Sequence, residues 1–123
     1  MPKKSISRIQ SFQHALRGLG VVFQEPNAKI HGVLAAIAIA LGLALHIDTW
    51  EWVAVVFAIA SVIGAEAMNT ALEKVVDLAS PEWHELAGQA KDAAAAAVLI
   101  VSVGAAMVGL IVFLPKLIAL TSI

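Results

Sequence analysis

The chain has 123 residues, 60% of them hydrophobic and 14% charged, and a mean hydropathy of +0.88. Soluble domains average about 45–50% apolar and about 25% charged, which excludes a disordered tail and argues against an ordinary soluble domain. A net charge of −1 with a pI near 6.4 gives no footprint for nucleic acid, and the lack of cysteine excludes disulfides, thiolate metal sites and a cysteine nucleophile.

Lys3, Lys4 and Arg8 imitate the basic start of a signal peptide, but neither an apolar region nor a small-residue cleavage site follows. Instead Ile6, Ile9, Phe12, Leu16, Leu19 and Phe23 recur at helical spacing, with Lys4, Arg8, Gln13 and Arg17 on other faces. The pattern predicts a basic amphipathic helix over residues 5–24. Such a helix lies in the headgroup layer, or packs its stripe on the helices that follow.

Three apolar blocks come next. Val33 to Leu45, extended by His46 and Ile47, predicts a span over residues 31–47. Trp52 to Ala65, interrupted by Ser61 and continued by a helical pattern, predicts a second over residues 52–78. Ala93 to Leu114, with no charge and one hydroxyl, predicts a third over residues 91–114. A spanning helix needs about 20 residues, and so small a chain has too little interior to bury the third block as a soluble bundle. The expected fold is an all-α membrane protein, a surface helix followed by three transmembrane helices, forming a single domain over residues 1–123. Lys3, Lys4, Arg8, Arg17 and Lys29 precede the first span, Lys74 and Lys91 flank the second loop, and Asp48–Glu51 carries no cation. The positive-inside rule therefore puts the N-terminus and second loop in the cytoplasm, with Trp50 and Trp52 at the outer interface. Only Lys116 lies beyond the third span, and Ser80-Pro81 marks the break after the second.

The second span carries the informative chemistry. Glu66, Asn69, Glu73 and Asp77 stand at i, i+3, i+7 and i+11. At about 100° per residue they share an arc of roughly 80°. Glu66 is 14 residues past Trp52, roughly 21 Å along the axis. In a hydrocarbon core of about 30 Å this places it within the membrane, in its cytoplasmic half. An ionisable group there costs on the order of several kcal/mol and marks a functional site by default; the bland reading is an interhelical hydrogen bond or ion pair that only assembles an oligomer. Carboxylates at the interface are hard ligands suited to Mg²⁺ and its phosphates, and a carboxylate in apolar surroundings suits a general base.

Other groups flank this face. Lys91 opens the third span with Asp92 in its first turn, and can meet phosphate oxygens. The loop before it offers Trp83 for stacking and His84 as a donor, or is simply solvated with one interfacial Trp. Glu25, before Pro26, falls at the surface of Glu73 and can share a metal with it, or serves as a helix cap. His31 has no second His at i+4, so zinc has little support. Neither a P-loop nor a G-x-S-x-G elbow occurs.

The run Glu66-Ala-Met-Asn69-Thr-Ala-Leu-Glu73-Lys-Val-Val-Asp77 resembles the E-x-x-N-[ST]-A-[IL]-E-x-x-V-D core of the prokaryotic diacylglycerol kinase and undecaprenol kinase family. His84-Glu85-Leu86 and Ala90-Lys91-Asp92 resemble its second motif, at matching spacing, and Ser11 to Gly18 and Glu25 to His31 resemble its N-terminal motifs. The resemblance covers nearly the whole chain. It implies a homotrimer in the cytoplasmic membrane of a bacterium, with active sites shared between subunits at the cytoplasmic face of the bilayer. It implies transfer of the ATP γ-phosphoryl group to a lipid hydroxyl. Glu66 is then the general base, with Asn69 and Asp77 positioning its neighbours. Glu25 and Glu73 hold Mg²⁺. Lys91, Asp92, Glu82, Trp83, His84 and, from the surface helix, His14 flank the nucleotide. Phosphoryl transfer mainly needs positioning and charge stabilisation, and this face offers both.

The stretches ending at Ile30-His31 and spanning Phe113 to Leu117 look more like undecaprenol kinases than diacylglycerol kinases. Pro26 departs from the undecaprenol branch, which often has Arg there, and Ala95 stands where the diacylglycerol branch has Ser. Undecaprenol is the expected acceptor and diacylglycerol the alternative. A non-enzymatic small membrane protein needs only the three spans and tolerates Glu66→Gln. A channel or proton carrier needs polarity through the full membrane depth, where the third span offers only Ser102.

Overall fold

The computed structural model describes residues 4–122, so Lys3 and the two chain ends lie outside the described residues. Four helices follow one another: α1 (Arg8–Val22), α2 (Pro26–Ala44), α3 (Thr49–Ala79) and α4 (Glu85–Thr121), with no strand among the described residues. The last three are long and apolar enough to cross a membrane.

Each start has a local cause. Ser7 caps α1 with a capping box: its hydroxyl accepts the Gln10 N–H at 3.2 Å, and its own N–H donates to Gln10 Oε1 at 3.0 Å. That cap sets the start of α1 at Arg8, inside the expected 5–24. Pro26 stands at the first turn of α2, where its missing N–H costs nothing. The helix therefore begins five residues before the expected span. Asp48 and Glu51 form a second capping box at 2.9 Å each and start α3. His84 Nδ1 accepts the Leu86 N–H at 3.1 Å and starts α4, well ahead of residue 91.

The ends differ from the apolar blocks too. α2 stops at Ala44 because His46 takes a left-handed φ of 54°. The Ile47 N–H then turns back to the Gly42 carbonyl at 3.2 Å, as in a Schellman ending. Gly42 is required here: a Cβ would fall 2.7 Å from Trp52 Cη2 and 3.0 Å from Ile47 Cδ1. α4 runs through Pro115 to Thr121 rather than stopping near Leu114. Proline removes one backbone donor without forbidding helical φ, and spanning helices tolerate it.

Side-chain pairs define the arrangement. His31 meets Glu66, Asp77 meets Lys91, and Glu51 meets Lys116. Neighbouring spans are therefore antiparallel. The start of α2, the end of α3 and the start of α4 share one end of the bundle. α3 and α4 pack most extensively, α2 lies mainly on α3, and α1 touches α3. The apolar core gathers at the opposite end around Ile47, Val55, Val112 and Phe113, with Trp52 against it. At about 1.5 Å per residue α3 is about 46 Å long and α4 about 55 Å. Both exceed a hydrocarbon core of about 30 Å, so their charged ends project past it. The apolar stripe of α1, including Ile9, Phe12 and Leu16, is uncovered, and only Val22 of that helix is buried.

Candidate active site

α3 presents a polar face that is buried at its middle and opens towards the end shared with α1. Glu66 and Thr70 are each only 3% exposed, Asn69 and Glu73 are half-buried, and Asp77 is exposed. The gradient follows from the helix repeat: one stripe passes from between helices to the projecting end.

Glu66 is not alone at depth. His31 Nδ1 lies 2.8 Å from Glu66 Oε1, and Ser102 Oγ lies 3.4 Å from His31 Nε2. A carboxylate only accepts, so His31 Nδ1 is the donor to Glu66, and Nε2 faces the Ser102 hydroxyl, which can both donate and accept. One residue from each spanning helix thus joins a single chain, Ser102–His31–Glu66. Glu66 therefore makes an interhelical hydrogen bond within the chain, to His31, rather than the oligomer-assembling bond of the bland reading.

Further along the face, Asn69 Nδ2 donates to Glu73 Oε1 at 3.5 Å. Asn69 Oδ1 and Thr70 Oγ1 are buried with no hydrogen-bond partner among the described residues. Buried polar atoms are nearly always paired, so such orphans call for a partner from outside the chain, be it water, an ion or another molecule. Lys91 Nζ pairs with Asp77 Oδ1, tying the start of α4 to the end of α3. Glu25 is the N-cap residue of α2 but makes no side-chain cap bond. Its half-buried carboxylate is therefore not used as the cap that the sequence allowed.

The remaining candidates are more dispersed. Asp92, Glu82 and His14 are exposed, and Trp83 is 89% exposed. His84 spends Nδ1 on capping α4. None of these five hydrogen-bonds or ion-pairs with the polar face of α3 among the described residues. The sequence leaves His31 open and gives Thr70 and Ser102 no site role. A usable signal was present: His31 lies 17 residues before Asp48 and Glu66 lies 18 after it, so an antiparallel pair turning there brings the two together.

No three His, Asp or Glu side chains converge on a metal position among the described residues. The available donors are the Glu25 and Glu73 carboxylates and the orphaned Asn69 Oδ1. All are hard oxygens. They suit Mg²⁺, which is commonly held by one or two carboxylates and completes its shell with water and phosphate oxygens. Between α2, α3 and α4 lies a groove of about 400 Å³, walled by apolar residues such as Leu41, Ile59 and Phe113. His31 and Ser102 are its polar lining.

Residues 13–113 match the family model described as prokaryotic diacylglycerol kinase. The chain is 38% identical over 109 residues to an undecaprenol kinase of Bacillus subtilis (strain 168), covering 88% of this chain and 89% of that protein. It is 37% identical over 112 residues to a diacylglycerol kinase of Synechocystis sp., covering 89% of this chain and 64% of that one. To a diacylglycerol kinase of Escherichia coli (strain K12) it is 33% identical over 93 residues, covering 75% and 76%.

Proposed function

The chain belongs to the prokaryotic diacylglycerol kinase family and is a lipid kinase; from that premise we propose that it transfers the γ-phosphoryl group of ATP to the hydroxyl of undecaprenol, giving undecaprenyl phosphate. The observation that carries the reading is the polar face of α3, with Glu66 buried at its deep end and Glu73 and Asp77 rising towards the bundle end. A lipid acceptor is fixed in the bilayer while the nucleotide arrives from water. A base at depth, with charged groups about two and three turns nearer the surface, serves both reactants.

Glu66 takes the acceptor hydroxyl proton as the oxygen bonds to the γ-phosphorus and ADP leaves with the electrons of the broken P–O bond. Glu25 and Glu73 are the residues to hold Mg²⁺, with Asn69 next to Glu73. When bound, the ion neutralises phosphate charge. Asn69 steadies Glu73, and Asp77 holds Lys91 where the second motif begins. Lys91, Asp92, Glu82, Trp83, His84 and His14 belong to the nucleotide side. The cytoplasmic placement of this end rests on the Lys and Arg asymmetry. The unpartnered Asn69 Oδ1, Thr70 Oγ1 and Glu25 leave groups for a neighbouring copy and the nucleotide to engage, in the homotrimer that the family resemblance implies.

The apolar groove ending at His31 and Ser102 suits an isoprenoid chain whose hydroxyl reaches Glu66. The undecaprenol kinase of Bacillus subtilis is matched over 89% of its own length, whereas the diacylglycerol kinase of Synechocystis is matched over 64% of its own, and the stretches at Ile30-His31 and Phe113 to Leu117 look more like the undecaprenol branch, which supports undecaprenol. The test is labelled-phosphate transfer from Mg²⁺-ATP by purified protein in mixed micelles holding undecaprenol and diacylglycerol at equal mole fraction. The expected product is mainly undecaprenyl phosphate. Mainly phosphatidic acid would reverse the acceptor, and no labelled lipid from folded, nucleotide-binding protein would overturn the reading.

A further inference from the structure

We propose that His31 is a positioning residue for phosphoryl transfer: it fixes one oxygen of the Glu66 carboxylate, is steadied in turn by Ser102, and thereby presents the other oxygen to the acceptor hydroxyl. The inference rests on the reading of Glu66 as the base and assigns a role to a residue outside that reading. The terminal torsion of a glutamate is broad and nearly two-fold. An untethered carboxylate in an apolar span would sample many orientations. The 2.8 Å bond from His31 Nδ1 anchors Oε1, and no hydrogen bond occupies Oε2 among the described residues.

The anchor is itself held. Ser102 reaches Nε2 from α4, so the imidazole plane is set from both sides by two different helices. His31 and Ser102 are also the polar lining of the apolar groove. The acceptor chain and the base are thus referenced to the same two side chains. Among the described residues no Lys, Arg or second carboxylate bonds Glu66. The next carboxylate on α3, Glu73, is engaged by Asn69, and α4 carries no charge between Asp92 and Lys116. On α2 the nearest cation is Lys29, which is exposed, and neither His14 nor Arg17 of α1 bonds Glu66.

A purely structural His31 would cement α2 to α3, and its loss would lower folded yield without changing turnover per folded molecule. A positioning His31 acts on kcat. A misplacement on the order of 1 Å can cost about 100-fold in rate. The experiment compares His31→Leu, His31→Asn and His31→Gln as purified, folded protein, with kcat and the KM for Mg²⁺-ATP and for lipid alcohol measured separately. Asn carries an N–H the same number of bonds from Cα as Nδ1, whereas Gln carries it one bond further out. His31→Leu is expected to lose about 100-fold in kcat with the nucleotide KM within about twofold. His31→Asn is expected to recover at least about tenfold of that loss, and His31→Gln to remain below Asn. In the Glu66→Gln background, His31→Leu is expected to cost nothing further, because the two act as a unit.

An unchanged kcat in His31→Leu overturns the proposal, as does equal activity of the Asn and Gln variants. If the Leu variant does not fold, the Asn and Gln pair decides alone. The two readings fail separately. Full activity in Glu66→Gln removes the base assignment and this inference with it, whereas an inactive Glu66→Gln beside a fully active His31→Leu removes this inference only.

Discussion

A carboxylate that is 3% exposed among apolar neighbours needs a donor, and Glu66 finds one in an imidazole on the adjacent helix. Its neighbours on the same face have different partners and different tasks. Glu73 accepts from Asn69, Asp77 holds Lys91, and Glu25 stands at a helix start without acting as the cap. The metal assignment is therefore testable one residue at a time. Glu25→Ala and Glu73→Ala are each expected to move the Mg²⁺ activation curve to at least about tenfold higher concentration, the loss of one ligand contact being worth about 1.4 kcal/mol or more. Unchanged Mg²⁺ titrations in both variants would remove these residues from the metal site. Spacing within one helix made Glu66, Asn69, Glu73 and Asp77 legible as a set. His31 was illegible by that route, because periodicity describes a single helix whereas this hydrogen bond crosses between two. Counting outward from the Asp48 turn recovers it.

At the scale of the helices, polar local signals decide where each begins, and close packing decides where α2 must end. Ser7, Pro26, Asp48 and His84 each start a helix ahead of, or inside, the apolar run that announced it. Hydropathy marks what lies in lipid, whereas capping marks where the backbone turns, and the two need not coincide. Pro115 shows the same distinction: the expected span ends at residue 114, whereas the helix continues through Pro115. The turn after α2 depends on Gly42, since Trp52 and Ile47 occupy the space of a side chain. Gly42→Ala is expected to destabilise the folded protein by about 1–3 kcal/mol through overpacking, read as a lower thermal midpoint in detergent. The same substitution at Gly104, where nothing lies within 4 Å, is expected to leave the midpoint level or raise it by helix propensity. Equal effects at both sites would contradict the packing argument.

Across the molecule, polar and apolar roles are divided by end. Core side chains gather around Val55 and Phe113, whereas charged side chains gather where α2 starts and α3 ends. The three spans were legible because apolar composition at this length has few uses other than crossing a bilayer. The number of copies was not, because contacts between identical chains leave no period in one sequence. Two measurements belong to this scale. The chain has no cysteine, so one introduced at Thr49 or at Gly88 is unique. A membrane-impermeant thiol reagent on intact cells is expected to label Thr49→Cys and to reach Gly88→Cys only after permeabilisation; the reverse pattern would invert the topology. Light scattering in detergent is expected to give a protein mass three times the 12.8 kDa chain, and a monomeric mass with full activity would contradict shared sites.

The most direct test of the account separates binding from transfer at Glu66. Wild-type and Glu66→Gln protein are loaded with Mg²⁺ and labelled ATP, nucleotide binding is measured at equilibrium, and lipid phosphate is then followed through a single turnover. Glu66→Gln is expected to bind Mg²⁺-ATP within about twofold of wild type and to transfer phosphate about 100- to 10,000-fold more slowly, the range for loss of a general base. Phosphate transfer at the wild-type rate by Glu66→Gln would contradict the assignment of Glu66 as the base.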